Sequence, residues 1–438
     1  MDNNFESQFN SLPVSDFSTL NSTRNAAFTL FKEIGFPNRR HEEWKYTSVN
    51  AISTSNFKTP SRQQSDRYDV SRIKQYINDD DINIIFIDGF IANKTMEPPC
   101  LPEGLTIVPI IDSFSNGFCE LSCNLITMGS QSEENAFTAL NRAMIEQGVL
   151  INIKKNTQIK KTIHLLFLQS GQQQDSAIFP RILINLEPYA EAQILQTHIS
   201  DDSDSEHYFT NAAIDVALQQ GSILRHYKSQ IESKNALHIS HMNVEQKQDS
   251  SFHYFGIDCG AKLARNSINV SLQDKGAHAS LGGIYLTHNT QHIDNHVSID
   301  HKAPDCSSNQ FYKGILDDNS RAVFNGKIFV RKNAQRTSAF QTNKNILLSE
   351  AAEIDSKPQL EIDADDVKCS HGAAIGQLDK NEIFYFKTRG IPESIARKML
   401  CQAFAEEAVL KIESPNIRKI MQEYVHAAIE GEEACQIN

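Results

Sequence analysis

The chain has 438 residues and a formal net charge of −12, from 42 lysines and arginines against 54 aspartates and glutamates. This acidity disfavours nucleic acid or an anionic membrane as the main partner, because both would repel the chain. The length exceeds what one compact core supports, so we expect two or three domains, unless the fold is a solenoid, for which that limit is relaxed.

The compartment expected from the sequence is the cytoplasm. The first residues carry neither the basic start nor the apolar stretch of a secretory signal. No apolar run approaches the roughly 20 residues that a membrane span needs. The eight cysteines are scattered, which favours reduced thiols over a disulfide framework. Cys119 and Cys123 lack a second pair at zinc-site spacing, so we expect them to be core residues.

Residues 1–150 are typical of a mixed, mostly helical domain. Residues 25–34 carry an apolar stripe at helical spacing, which Gly35 and Pro37 terminate. Two apolar runs flank Asp88-Gly89, and this pattern predicts a tight β-hairpin. Residues 134–147 predict a further helix with one apolar face.

From about residue 149 the sequence changes to short apolar or alternating runs, separated by Gly, Asn, Asp and Ser. A small residue at a turn, followed by an apolar strand, recurs at intervals of 31, 29, 26, 44 and 31 residues. A period near thirty with one insertion is typical of a β-solenoid, in which each coil buries its inner face against its neighbours. A β-sandwich, the alternative, would have turns without this similarity. The recurring units begin at Ala190, Gly221, Ser250, Gly276, Ser320 and Ala351.

The C-terminal sequence returns to helical periodicity. Pro392 suits a first helical turn, and Ile395 and Met399 follow at helical spacing. Ser414-Pro415 repeats the start signal ahead of a second apolar stripe. We therefore expect two antiparallel helices.

Cys369 and His371 are the candidate metal-binding residues. Side chains alternate along a strand, so residues two apart project to the same side. A thiolate and an imidazole that converge on one spot can hold iron or zinc. A core cysteine and a hydrogen-bonded histidine are the commoner alternative. Position favours metal binding, because the two residues fall in the last turns of the solenoid, where an open end needs a cap.

Four strings of this sequence resemble motifs of the SufB/SufD family, the iron–sulfur cluster assembly scaffolds of the SUF system. They are VKCSHGA around Cys369, RAVFNGKIFV before it, FKTRGIPESIARKML after it, and RRHEEWKYTSV at residues 39–49. The resemblance implies a mainly β fold, a right-handed parallel β-helix between N-terminal and C-terminal helical domains. We expect the domains to span residues 1–150, 151–387 and 388–438. The lack of an N-terminal cysteine cluster favours the SufD branch over the SufB branch.

The resemblance also implies partners and a cargo. In this family the equivalents of Cys369 and His371 face a SufB-like paralogue, and the histidine is implicated in holding the nascent iron–sulfur cluster. The cluster is expected to be bound only transiently. The sequence leaves open whether the isolated chain forms a homodimer. No P-loop string occurs, so ATP hydrolysis must come from a partner. The family's C-terminal helices dock a SufC-like ABC ATPase, which maps here onto Pro392, Ile395, Met399 and Leu400.

We therefore expect a non-enzymatic scaffold subunit of a SufB–SufC–SufD assembly. The alternative from another class is a β-helix polysaccharide lyase or hydrolase. Those enzymes are usually secreted, and this sequence has no export signal. Nor does it contain the catalytic strings GxSxG or HExxH.

A second histidine cluster lies in the string THNTQHIDNHVSIDH. The flanking Val297 and Ile299 favour a strand, and Asn and Asp interrupt the run. We expect exposed turn histidines here rather than a metal site. The histidines are His288, His292, His296 and His301.

Overall fold

The structure is a computed structural model that describes residues 3–92, 101–115, 117–128, 134–201 and 207–431. Two large sheets of mainly parallel strands wind into a β-solenoid of about seven coils, with helical regions N-terminal and C-terminal to it. The predicted β-solenoid is thus confirmed. No helix in the described part of the chain combines the length and the hydropathy that a membrane span requires.

The N-terminal helices follow the sequence pattern closely. The helix predicted at residues 25–34 is the second half of α2, which ends at Gly35 with φ 64°. The helix predicted at 134–147 is shorter, because Asn135 caps its start and the chain leaves the helix at Met144. The helices are α1 (Asn3–Ser11), α2 (Ser18–Ile34), α3 (Asn50–Thr54), α4 (Arg62–Ser65), α5 (Cys119–Met128) and α6 (Ala136–Ala143), with 3₁₀ turns at Glu42–Trp44, Val70–Tyr76 and Asp112–Phe114.

The strands, numbered along the chain, divide between two sheets. In spatial order, sheet 1 contains β2 (Phe90–Ile91), β1 (Ile82–Ile87), β5 (Ile163–Gln169), β8 (Glu191–Ser200), β10 (Ile223–Ile231), β12 (Ser251–Asp258), β14 (His278–Thr287), β16 (Ser307–Leu316), β18 (Thr337–Leu347) and β20 (Val367–Gly376). Sheet 2 contains β19 (Glu353–Ile362), β17 (Arg321–Val330), β15 (His292–His301), β13 (Leu263–Leu272), β11 (Leu237–Gln246), β9 (Tyr208–Leu218), β7 (Arg181–Leu186), β4 (Gly148–Ile153) and β3 (Leu105–Pro109), with β6 (Ser176–Ile178) beside β9.

The expected boundary at residue 150 does not separate two independent folds. The hairpin forms at Asp88-Gly89, with φ 48° and 86°, but its strand β1 also pairs in parallel with β5. Strand β3 likewise pairs with β4 in sheet 2. The N-terminal region therefore supplies the first strands of both solenoid sheets.

The thirty-residue recurrence has a backbone cause. Gly221, Asp249, Gly276 and Asp305 have φ between 56° and 74° and occupy the same corner of successive coils, just before a strand of sheet 1. Glycine and aspartate tolerate this left-handed conformation better than most residues. The interval of 44 residues is not the insertion that we expected. The recurring unit at Gly276 precedes a strand of sheet 1 and the next, at Ser320, precedes one of sheet 2, so this step is one and a half coils.

Apolar residues fill three layers. The inner faces of both sheets form a continuous lumenal core that runs from Ile84 to Ala352. N-terminal helices cover the outer face of sheet 2, where Phe28 and Phe137 pack with Phe209. On α5, Cys119 and Cys123 are half-buried and pack against an apolar cluster, in line with their expected core role. The C-terminal helices cover the outer face of sheet 1.

Three C-terminal helices are present where we expected two. They are α7 (Lys380–Thr388), α8 (Glu393–Val409) and α9 (Pro415–Glu430). The solenoid strands end at Gly376 and α7 begins at Lys380, so the helical region starts before the expected boundary at 388. Pro392 is the N-cap of α8, with extended backbone, rather than a first-turn residue.

Candidate functional site

The last coil of the solenoid ends in two long edge strands. Among the described residues, β19 pairs only with β17 and β20 pairs only with β18. Each is ten residues long, and both are far more exposed than the strands before them. The unpaired N–H and C=O groups of such an edge are a template for pairing with another chain. The open end expected from the sequence is therefore present in this chain.

Cys369 and His371 lie on edge strand β20, on the side that faces the lumen in earlier coils. Cys369 is in register with Ala339 of β18, and His371 is in register with Gln341. Their Cα atoms are roughly 6.6 Å apart, from the rise of a strand. Cys369 is half-buried against a small apolar cluster that includes Ala339, whereas His371 is exposed.

A polar column leads along the lumen to His371. Gln341, directly beneath it, is 2% exposed, and its Nε2 donates to Gln310 Oε1 at 2.5 Å. Gly326 on the facing strand leaves room for this pair, because a Cβ there would lie 1.8 Å from Gln341 Nε2. Gln341 Oε1 has no hydrogen-bond partner. The side chain of His371 therefore lies next to the buried, hydrogen-bonded side chains of Gln341 and Gln310.

The two candidate ligands do not complete a metal site in this chain. Within the described residues, neither belongs to a group of three converging His, Cys, Asp or Glu donors. Burial raises the pKa of the Cys369 thiol, so the isolated chain holds a protonated thiol there. Iron or zinc bound at this end needs further donors from outside the chain.

Gly372 and Gly376 have no atoms within 4 Å of where a Cβ would stand, and neither has positive φ. Backbone geometry therefore does not require glycine at either position in the isolated chain. Their bare surface instead lets another backbone approach closely.

The four residues expected to bind the ATPase differ in accessibility. Ile395 and Met399, one helical turn apart on α8, are 49% and 40% exposed. Pro392 is also exposed, but Leu400 is half-buried. Other α8 residues, among them Cys401 and Ala405, pack on sheet 1. Sequence reasoning missed two exposed aromatic side chains of α7, Phe384 and Tyr385; the apolar run IFYF was a signal for them.

The N-terminal string HEEWKYTS forms a clasp, residues 41–48, across the outer face of sheet 2. Glu43 pairs with Lys327 of β17 at 2.6 Å. Trp44 packs against the Arg265 guanidinium, 3.8 Å from the ring centre. Thr47 Oγ1 donates to Asp294 Oδ2 at 2.5 Å. The clasp thereby joins the N-terminal region to strands β13, β15 and β17.

The clasp contacts the second histidine cluster. Our expectation of exposed turn histidines is wrong for three of the four. His292, His296 and His301 lie on β15. His292 Nε2 is 2.9 Å from Thr47 Oγ1, and His296 Nδ1 is 3.3 Å from Glu43 Oε2. His301 is buried in the lumen and bonded to Ser308. None belongs to a three-donor metal group among the described residues.

The clasp predicts a pH dependence. The hydrogen bond with His296 holds the pKa of Glu43 at about 2, below the value of roughly 4.3 in an unfolded chain. Because the folded-state pKa is depressed, the contribution is complete above pH 4.3 and lost as pH falls towards 2. Glu43 is 47% exposed, so solvent screening makes the contribution small. We expect Glu43→Gln to weaken the fall in unfolding free energy between about pH 6 and pH 3.5, measured by urea titration.

The control for that measurement is Glu350→Gln, because Glu350 is exposed and has no ion pair with a described residue. An unchanged pH dependence in Glu43→Gln would show that the clasp ion pairs do not contribute to stability.

Sequence comparison assigns residues 2–165 and 167–404 to known families. A profile described as "SUF system FeS cluster assembly, SufBD core domain" matches residues 167–404. A second, described as "SufBD protein N-terminal region", matches residues 2–165. The first match contains the solenoid edge, Cys369 and His371, and the second contains the clasp.

Individual relatives are similar over most of their length. An iron–sulfur cluster assembly SufBD family protein of Synechocystis is 30% identical over 90% of this chain and 88% of its own. The iron–sulfur cluster assembly protein SufD of Escherichia coli is 28% identical over 85% and 84%. A chloroplastic protein of Arabidopsis thaliana, ABCI7, is 28% identical over 96% and 89%.

Proposed function

The chain belongs to the SufBD family of SUF iron–sulfur cluster assembly proteins, and from that premise we propose that it is a non-enzymatic, cytoplasmic scaffold of the SufD type. It pairs with a SufB-like paralogue through the end of the solenoid and with a SufC-like ATPase through its C-terminal helices. The observation that carries this proposal is the open last coil, with Cys369 and His371 on its unpaired edge.

Pairing with a SufB-like subunit is supported by the shape of the open end. A second solenoid with the same kind of end would satisfy the free N–H and C=O groups of β19 and β20 by continuing both sheets. Gly372 and Gly376 present no side chain to obstruct it. Ile375, 52% exposed on the lumen side of β20, would be covered in the same step. A homodimer would use the same edges.

Cluster binding then falls at the junction of the two subunits. His371 is exposed because β20 is the last strand of sheet 1 in the described part of the chain. Cys369 is beside it on the same face of the strand. These two donors, completed by donors of the partner, can hold an iron–sulfur cluster as a transient cargo. Because burial keeps Cys369 protonated in the free chain, cluster binding requires loss of its proton, which nearby metal ions promote.

ATPase docking is supported by Ile395 and Met399, which an isolated chain leaves exposed. Helix α8 is also coupled to the solenoid. The buried Lys313 of β16 donates to Phe404 O at 2.7 Å and bonds to Glu407, which also bonds to Lys344 of β18 at 3.3 Å. Strand β18 pairs with β20, the edge strand that contains Cys369 and His371. ATP-driven movement of the ATPase would therefore reach the cluster-binding edge through α8 and two strands.

Hydrogen–deuterium exchange of the full chain, alone and with a purified SufB-like partner, tests the proposed pairing. We expect the backbone amides of β19 and β20 to become protected in the complex. The N-terminal edge strands β2 and β3 are the internal control and should exchange equally in both samples. If the amides of β19 and β20 exchange equally with and without the partner, pairing through the open end is contradicted.

A further inference from the structure

A second group of potential metal ligands lies inside the solenoid, far from the open end. His198 of β8, Glu232 after β10 and His238 of β11 each offer one donor atom, and these atoms all lie within 4.8 Å of one another. Strand β8 is six strands from β20 in sheet 1, or roughly 29 Å at the spacing of neighbouring strands. The group is therefore separate from Cys369 and His371.

All three side chains are enclosed. His198 is 1% exposed, Glu232 is 4% exposed and His238 is fully buried. The two imidazole rings meet edge to face, with centres 4.8 Å apart. Burying two imidazoles and a carboxylate together is costly unless their polar atoms are satisfied by hydrogen bonds or a metal ion.

The contact between Glu232 and His238 is short but bent. Glu232 Oε2 is 2.7 Å from His238 Nδ1, yet Nδ1 has no partner of hydrogen-bond geometry. The other ring nitrogen, Nε2, lies 3.1 Å from Lys228 Nζ. Two ligands of one tetrahedral zinc ion are about 3.3 Å apart, so an ion bound by both residues would widen this 2.7 Å contact.

We propose that His198, Glu232 and His238 form a binding site for one divalent first-row transition-metal ion, such as Zn²⁺ or Fe²⁺. Two imidazoles and one carboxylate are a donor set that both ions accept in proteins. In a tetrahedral zinc site, ligand atoms at 2.0–2.1 Å from the metal are about 3.3 Å apart, so small side-chain rotations suffice. Because the site is closed, the ion enters while the coils fold and holds β8, β10 and β11 together.

The charges around the site permit a cation. The ammonium of Lys228 is a like charge, but Asp258 Oδ1 lies 4.0 Å from it, and it donates a hydrogen bond to Asn266 Oδ1 at 2.5 Å. Glu232 also accepts from Gln230 at 2.9 Å, which orients the carboxylate as a supporting hydrogen bond does in metal sites.

The test uses the full chain without a histidine tag, refolded in the presence of Zn²⁺, Co²⁺ or, without oxygen, Fe²⁺, and then dialysed against EDTA. We expect about one ion per chain to be retained, by elemental analysis, and the Co²⁺ form to show visible d–d absorption. Comparing the three ions shows which metal the site prefers. Glu232→Gln and His198→Gln should reduce retention to background.

The matched control is His301→Gln. It removes a buried lumenal histidine that belongs to no three-donor group among the described residues. It should retain the ion as the unaltered chain does. Failure of the unaltered chain to retain any of the three ions, or equal retention by Glu232→Gln, would overturn the proposal. If the variants do not fold, anomalous diffraction from zinc-loaded crystals of the unaltered chain decides: a peak between His198 and His238 supports the site and its absence refutes it.

Discussion

His371→Ala should abolish iron–sulfur cluster assembly by the complex and leave the isolated chain nearly as stable as before. In the free chain His371 is exposed on an edge strand, so its loss should cost about 1 kcal/mol of unfolding free energy or less. A histidine with a buried hydrogen bond would cost roughly 1–3 kcal/mol instead. Cluster binding responds strongly, because this chain brings few ligands to the site and losing one opens a position to water or oxygen. Thermal melts and in vivo complementation of iron–sulfur enzyme activity measure the two effects.

The control is His426→Ala, which removes an exposed histidine of α9 away from the solenoid edge and should complement fully. Cys369→Ser is the companion variant, because a hydroxyl is a poor substitute for a thiolate towards soft metals. Cys369 is half-buried, so this change should lower stability more than His371→Ala does. Full complementation by His371→Ala would remove the cluster-binding role, and a large drop in melting temperature would indicate a structural histidine.

The double substitution Ile395→Asp with Met399→Asp should weaken binding of the ATPase. Fully burying an exposed apolar side chain of this size contributes about 1.5–3 kcal/mol, and slightly less than half of each side chain remains exposed, so losing both corresponds to roughly 1.5–2.5 kcal/mol, or about tenfold to sixtyfold in Kd. Two carboxylates forced into an apolar contact add a desolvation cost. Because neither side chain is buried in the free chain, the variant should fold normally. Calorimetric titration with the ATPase measures the loss.

Leu410→Asp is the matched control. Leu410 is 55% exposed at the other end of α8, about 16 Å along the helix from Met399, and its substitution should leave ATPase binding unchanged. Point substitutions test ATPase docking more directly than removing the chain after Arg389 does. Helices α8 and α9 cover the outer face of sheet 1, so their loss would expose it. Wild-type affinity in the double variant would exclude this face of α8 as the docking surface.

Local chemistry determined the features that sequence could predict. The solenoid was visible because a turn returns to the same corner of successive coils, where φ is positive and Gly or Asp often stands. The hairpin at Asp88-Gly89 and the end of α2 at Gly35 follow from the same backbone preference. The shared orientation of Cys369 and His371 follows from the two-residue period of a strand.

Pairing between distant segments was decided by the tertiary structure alone. Thr47 contacts His292 across 245 residues, so nothing near either residue indicates that the clasp covers β15. The exposure of Ile395 but not Leu400 depends on how α8 lies on sheet 1. His198, Glu232 and His238 come together only because the coils stack in one register. A side chain's neighbours in a solenoid are set by that register, which joins residues a full coil apart, and the local pattern of any one strand does not contain it.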